Sequence, residues 1–170
     1  MTTPFDGVPL VARADLDTPL GAMTALATPR GLAGLWFDAA KYRPELAHVP
    51  EDPANTHIAA ARAWLAAYWA GGDPAPGDVP LDLHGSAFQR AVWQALLAIP
   101  RGHTRTYGQI AAAVGAGAVA RATGGAIGRN PVALIVPCHR VVGANGSLTG
   151  FAAGLPRKER LLQHEGALLA

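Results

Sequence analysis

The chain has 170 residues, 50% of them hydrophobic, so it can bury a core as one ordinary domain or as two small ones. A single cysteine excludes an internal disulfide and a four-cysteine zinc site, and it predicts a free thiol in a reducing compartment. The net charge of +2 conceals a split: residues 1–82 carry five Arg/Lys against ten Asp/Glu, and residues 83–170 carry nine against two. A basic C-terminal half points toward a polyanionic partner, and equally toward an Arg-rich surface that serves solubility.

The N-terminal "MTTPFDGVPLVARADLDTP" has neither a basic n-region nor an uninterrupted apolar h-region, and no window approaches a membrane-spanning length. A soluble cytoplasmic protein with no membrane partner is expected. "GAMTALATPRGLAGLWF" holds two apolar segments around the turn signal Pro29-Arg30-Gly31, a hairpin pattern, and "ANTHIAAARAWLAAYWA" has helical composition and spacing. Together they predict a small α/β unit. In "GGDPAPGDVP", residues 71–80, prolines and glycines among acidic residues can continue neither a helix nor a central strand. This stretch is read as the linker, dividing the chain into domains 1–80 and 81–170.

"GSAFQRAVWQALLAIPRG" opens the second domain. Ser86 and Gln89 form a capping-box pair, Phe88, Val92, Trp93, Leu96 and Leu97 recur at helical spacing, and Pro100 and Gly102 stop the helix. Those apolar side chains are core, with no chemistry of their own. "TYGQIAAAVGAGAVARATGGAIGRNP" then splits into two short helices, 106–114 and roughly 118–128, around Gly115-Ala116-Gly117, the outline of a helix-turn-helix. The second helix is smooth, being Ala, Gly, Val and Thr with one long side chain, Arg121. It lacks the Asn, Gln and Lys side chains that read major-groove edges, and a lone arginine suits the minor groove better. Tight packing of that small-residue face against another helix is the competing reading. In the terminal "GLPRKERLLQHEGALLA", Pro156 suits a first helical turn, Leu161 and Leu162 face inward, and Glu165 falls at the helix end disfavoured for a carboxylate.

The one cysteine lies in "IVPCHRVV", residues 135–142, a strand-like apolar segment. Cysteine in such a place is commonly an inert small hydrophobe. His139 beside it offers an imidazole that could favour the thiolate, and Glu165 could orient that imidazole in a triad-like relay. Consecutive strand side chains point to opposite faces, so direct contact would need a bridging water or a turn in the backbone. Arg140 is assigned a structural ion pair or hydrogen bond. The residues alone leave Cys138 open between inert and reactive.

"NPVALIVPCHRVVGANGSLTGFAAGLPRKERLLQHEG", with "TYGQIAAAVGAGAVARATGGAIGRNP" and "FQRAVWQALLAIPRGHTRTYG", resembles the O6-alkylguanine-DNA alkyltransferases, also called methylated-DNA-protein-cysteine methyltransferases. The likeness covers nearly all of residues 83–166. The N-terminal half looks more loosely like the family's small domain. The resemblance implies an α/β ribonuclease-H-like N-terminal domain and a mostly α C-terminal domain of winged-helix, helix-turn-helix type. It implies that Cys138 accepts the alkyl group, with His139 activating it through water and Glu165 orienting the imidazole. Asn130 would brace the active-site segment, and Tyr107 would help rotate the nucleotide and donate a proton to guanine N3. Arg121 would enter the base stack, on a DNA-binding surface with Tyr107, Ala120, Ala122 and Gly124. Pro137, Val141, Phe151, Ala152 and Ala153 would line the pocket, with loop 150–154 as its wall and the backbone at Cys138 and Val141 reading the guanine edge.

An alkyl group on O6 is inside the duplex, so the implied reaction requires the nucleotide to leave the stack. Its product is a thioether with no evident route back to thiol. One turnover per molecule, no cofactor and no metal are therefore expected, with O6-alkylguanine in double-stranded DNA as partner. O4-alkylthymine activity is left open. A monomer is expected, and cooperativity along DNA is left open. Phe151 stands where many relatives have Tyr and Ala153 where glycine is usual, which bears on the alkyl groups that fit. The N-terminal half has no cysteine for the structural zinc of some relatives. Two other readings remain: a damage sensor or DNA-binding regulator without chemistry, and a thiol enzyme acting on small molecules.

Overall fold

A computed structural model describes residues 3–115 and 119–168, which divide into two compact units, Met1–His84 and Gly85–Ala170. Ala116, Gly117 and Ala118, assigned from sequence to a turn and a helix start, lie outside the described residues. No helix among the described residues is long and apolar enough to cross a membrane.

The first unit is a three-stranded antiparallel sheet, β1 (Ala12–Leu16), β2 (Met23–Ala27) and β3 (Leu32–Phe37), in the order β1-β2-β3. The expected hairpin joins β2 to β3, where Thr28 N–H donates to Gly31 O (3.0 Å). Every residue of β2 and β3 is buried, because both faces are covered. Helix α1 (Thr56–Trp69) packs on the sheet and buries Ile58, Ala61, Trp64, Leu65 and Tyr68. A second apolar cluster joins Leu26, Ala33 and Trp36 of the strands to Phe5, Leu46 and Val49. Asn55 caps α1 by accepting from the His57 and Ile58 amides.

The acidic Pro/Gly stretch contains only a 3-10 turn, Pro76–Asp78, and its end stays with the first unit. Leu32 N–H donates to Pro80 O (2.8 Å), Asp82 N–H to Leu32 O (2.9 Å) and Thr28 Oγ1 to Asp82 Oδ2 (2.5 Å). That close approach needs glycine at position 31, since a Cβ there would meet Pro80 O at 2.6 Å. The division between units thus falls a few residues beyond the linker read from composition.

The second unit is mostly helical, with α2 (Ala87–Leu97), α3 (Tyr107–Val114), α4 (Ala120–Gly128) and α5 (Leu155–His164). The Ser86–Gln89 capping box is formed as read from sequence, and Thr106 and Gln109 form another at the start of α3. Val92, Trp93 and Leu96 are buried, whereas Phe88 and Leu97 are half-buried at the edge of the same stripe. Helices α2, α3 and α4 pack on one another, and Trp93 Nε1 donates to Ala126 O (2.9 Å), fixing α2 to α4.

One expectation is corrected. The Cys138 segment is not a continuous strand: Ala133 and Val136 form an isolated bridge, and Cys138–Arg140 is a 3-10 turn leading into the two-residue β5 (Val141–Val142). Leu134 at φ 73 and Pro137 at ψ 65 bend the chain where the hydrophobic run suggested extension. Strand β5 pairs in parallel with β4 (Arg105–Thr106), Arg105 opposite Val141 and Thr106 opposite Val142. Tyr107 follows β4 directly and the Cys-His-Arg turn precedes β5 directly. This pairing therefore brings the start of α3 beside the cysteine.

Candidate active site

The 3-10 turn resolves the difficulty that a strand would pose, since it places three consecutive side chains in one buried region. Cys138, His139 and Arg140 are all buried, His139 completely. His139 Nε2 lies 2.6 Å from Glu165 Oε2, at the C-cap of α5. Arg140 grips the same carboxylate, with Nε donating to Oε1 (2.7 Å) and Nη2 to Oε2 (3.1 Å), while its Nη1 donates to Ile99 O (2.7 Å). The arginine thus ties α5 to the end of α2, and it explains a carboxylate at the unfavourable end of a helix.

Burial alone would raise the Glu165 carboxyl. The hydrogen bonds and charges of His139 and Arg140 outweigh it and hold Glu165 well below the usual carboxylate range. Burial pulls the His139 imidazolium down, only partly offset by Glu165, so the ring is neutral. Its Nε2 faces a carboxylate acceptor and therefore carries the proton, which leaves Nδ1 as a bare acceptor. That Nδ1 is buried and has no hydrogen-bond partner among the described residues.

The Cys138 thiol is pushed up by burial. Opposing that, in decreasing order, are a hydrogen bond from Asn130, the positive charge of Lys158 and the backbone N–H groups of Cys138 and His139. Every one of these favours the thiolate. Asn130 also holds the segment's shape, donating from Nδ2 to Val136 O (2.7 Å) and accepting from Val132 N–H at Oδ1 (3.0 Å).

Tyr107 begins α3, its ring edge lying where a Cβ on Gly124 of α4 would meet it at 3.8 Å. Its hydroxyl donates to Thr149 O (2.7 Å) in the loop before α5. Gly150 takes φ 54 there, and a Cβ at that position would press within 3.3 Å of the tyrosine oxygen. Phe151, Ala152 and Ala153 are half-buried in the same loop, while Pro137 and Val141 are buried on either side of the turn. Ala120, Arg121 and Ala122 lie on the exposed face of α4, apart from the buried cluster.

Sequence reasoning passed over Lys158, which is completely buried. Its Nζ donates to Thr149 O (2.7 Å) and Gly150 O (3.1 Å). The signal was present: Lys158, Leu161, Leu162 and Glu165 share the i, i+3, i+4, i+7 face of α5, so a lysine occupies the inward stripe.

Fold and site define a mostly helical domain built around a buried cysteine with a neutral histidine, a buried Glu165–Arg140 pair and a bracing asparagine beside it. Residues 87–167 match the family model described as 6-O-methylguanine DNA methyltransferase, DNA binding domain. The chain is 46% identical over 150 residues to the methylated-DNA–protein-cysteine methyltransferase of Mycobacterium tuberculosis strain H37Rv, covering 88% of this chain and 89% of that one. It is 44% identical over 156 residues to the protein of the same name from Methanosarcina acetivorans, covering 91% and 97%. The crystal structure of Mycobacterium tuberculosis OGT in complex with DNA superposes with a TM-score of 0.84 at 45% identity, over 91% of this chain and 93% of that one. The chain belongs to the methylated-DNA–protein-cysteine methyltransferase family.

Proposed function

We propose that the chain repairs DNA by direct reversal, moving the alkyl group of O6-alkylguanine irreversibly to Cys138 Sγ. The observation that carries this reading is His139: neutral, fixed by Glu165 through Nε2, and presenting an unsatisfied buried Nδ1 in the same turn as the thiol. A water bridging Nδ1 and Sγ would satisfy that atom and carry the thiol proton to the imidazole. The thiolate then attacks the alkyl carbon in line. An S–C bond forms, the C–O6 bond breaks, and its electron pair passes to the guanine ring. Protonation of guanine N3 by Tyr107 keeps the leaving group neutral.

The partner is double-stranded DNA, with the target nucleotide turned out of the stack. In support are the basic second unit and the smooth exposed turn of α4 carrying Arg121, which would fill the gap left by the base. Pro137, Val141 and residues 151–153 would enclose the extruded base, beside the braced Asn130 segment. We read the first unit as ribonuclease-H-like, on its antiparallel sheet and single packed helix, and the second as winged-helix, on α3, α4 and the β4–β5 pair. The unpaired thiol suits a reducing, cytoplasmic setting. The protein would act as a monomer.

The test is to incubate the protein with a duplex bearing O6-methylguanine and record its intact mass. A stoichiometric gain of one methyl group in place of a proton, absent in Cys138→Ser, is expected. Unchanged mass from folded, DNA-binding protein would refute alkyl transfer and favour a sensor without chemistry.

A further inference from the structure

Glu165 is both the C-cap of α5 and the partner of His139, so the place where this helix stops sets the geometry beside the thiol. The last carbonyls of a helix have no partner within it, and what caps them decides how firmly the end is held. The chain beyond α5 supplies part of the cap: Gly166 N–H donates to Gln163 O (3.0 Å) and Ala167 N–H to Leu162 O (2.9 Å), with Gly166 at φ 77 turning the backbone. His164 O, the carbonyl just before Glu165, accepts from a different element, Arg101 Nη2 (3.2 Å). A cation there also complements the negative end of the helix dipole.

Arg101 belongs to the turn that joins α2 to β4, and its neighbours in that turn meet the same assembly. Ile99 O accepts from Arg140 Nη1 (2.7 Å), the arginine whose Nε donates to Glu165 Oε1. Gly102 sits at φ 81, and a Cβ on it would come within 3.3 Å of Glu165 O. Residues 99–102 therefore hold Glu165 at its backbone and, through Arg140, at its carboxylate. Helix ends open more readily than helix centres, and a movement of about 1 Å at Glu165 would carry the His139 pair beyond hydrogen-bond range.

We propose that Arg101 is a positioning residue: through the carbonyl of His164 it fixes the end of α5, and with it the Glu165 carboxylate that keeps the His139 proton on Nε2 and Nδ1 open as an acceptor. It acts through the helix backbone and not on the alkyl group. Its effect on transfer rests on the alkyl-transfer reading, in which Nδ1 receives the thiol proton; the tether itself does not.

The experiment compares wild type, Arg101→Met, Arg101→Lys and Gly102→Ala. Single-turnover methyl transfer from an O6-methylguanine duplex is followed by intact mass across DNA concentrations, which separates the saturating rate from the half-saturating concentration. Nitrogen-edited NMR reads the His139 Nε2–H proton, which the bond to Glu165 protects from exchange with water. Arg101→Met keeps the apolar stem and removes the donors. In it the saturating rate is expected to fall and Nε2–H exchange to rise, each about tenfold, the scale of one lost charge-assisted hydrogen bond, with the half-saturating concentration unchanged. Arg101→Lys, which keeps a cationic donor, is expected to return both toward wild type. Gly102→Ala pushes the turn off Glu165 O and is expected to speed Nε2–H exchange with Arg101 intact. A folded Arg101→Met with wild-type rate and exchange overturns the proposal. So does a loss confined to the half-saturating concentration, which would make Arg101 a DNA contact. If Arg101→Met does not fold, wild-type exchange in Gly102→Ala overturns the clamp. If wild type gains no mass from the duplex, the alkyl-transfer reading has failed instead, and the Nε2–H exchange rates still decide the tether.

Discussion

His139 Nε2 lies 2.6 Å from Glu165 Oε2, and neither side chain has any exposure to solvent. Arg140 grips the same carboxylate through two donors, so three ionisable side chains share one desolvated site in which the arginine and glutamate charges cancel and the imidazole is neutral. Removing one member of such a pair leaves the other charge buried and unpaired, at a cost of about 3–5 kcal/mol. Glu165→Ala is expected to lose stability on that scale in urea unfolding, and Glu165→Ala/Arg140→Leu to regain part of it. A single variant within about 1 kcal/mol of wild type would show that the pair behaves as a surface ion pair.

Alkaline stability reports on Lys158 and Cys138, with opposite signs. Burial pulls Lys158 down to about 8 from 10.5, so above pH 8 the folded state has released a proton that the unfolded chain still holds. Stability rises with pH wherever the unfolded state binds more protons. The Cys138 thiol is raised above its ordinary 9.0, so past that pH the unfolded chain is the first to lose its proton and stability falls. Wild type is expected to gain stability from pH 8 to 9.0 and then flatten. Lys158→Met should lack the gain and only decline, as read by urea midpoints across that range.

Much of this frame was readable in the chain. Ser86 with Gln89, the Pro100 and Gly102 stop, the two helices around residues 115–118 and the inward Leu161 and Leu162 all follow from caps and apolar spacing, which act within a few residues. β1 was missed because "ARADL" is a five-residue alternation of two small residues and a leucine, too weak a pattern without its partner β2. The run Ile135–Val136 promised a strand, yet the left-handed Leu134 and the following Pro137 turn it, and neither conformation is coded by hydrophobicity. Glu165 drew notice because a carboxylate there opposes the helix dipole. Its partner Arg140 lies 25 residues away, and only the folded chain joins them.

Asn130 is buried, and its amide bonds to the backbone of the active-site segment twice, donating to Val136 O and accepting from Val132 N–H. Asn130→Ala strands a buried donor and a buried acceptor, each worth about 1–3 kcal/mol when left unsatisfied. It also removes a hydrogen bond that favours the Cys138 thiolate. Both a lower urea midpoint and a slower methyl transfer in the surviving folded protein are expected. Asn130→Asp keeps the acceptor for Val132 and brings a negative charge near the thiol, so it should slow transfer more than it destabilises. Equal rates in Asn130→Asp and wild type would remove Asn130 from the electrostatics of the site.

Arg121 stands on the exposed face of α4 between Ala120 and Ala122, with Thr123 buried behind it. Its removal costs the fold nothing specific, so Arg121→Ala should unfold within about 0.5 kcal/mol of wild type. If its guanidinium fills the stack left by a rotated nucleotide, the loss appears only when the base must leave a duplex. Methyl transfer from double-stranded DNA is then expected to fall at least about tenfold, one lost charge-assisted contact of roughly 1.4 kcal/mol or more. Transfer from free O6-benzylguanine, which needs no extrusion, should stay at the wild-type rate because the buried cluster around Cys138 is untouched. Parallel losses on duplex and free base would place the effect of Arg121 in the pocket, and no loss on either would remove it from the DNA surface.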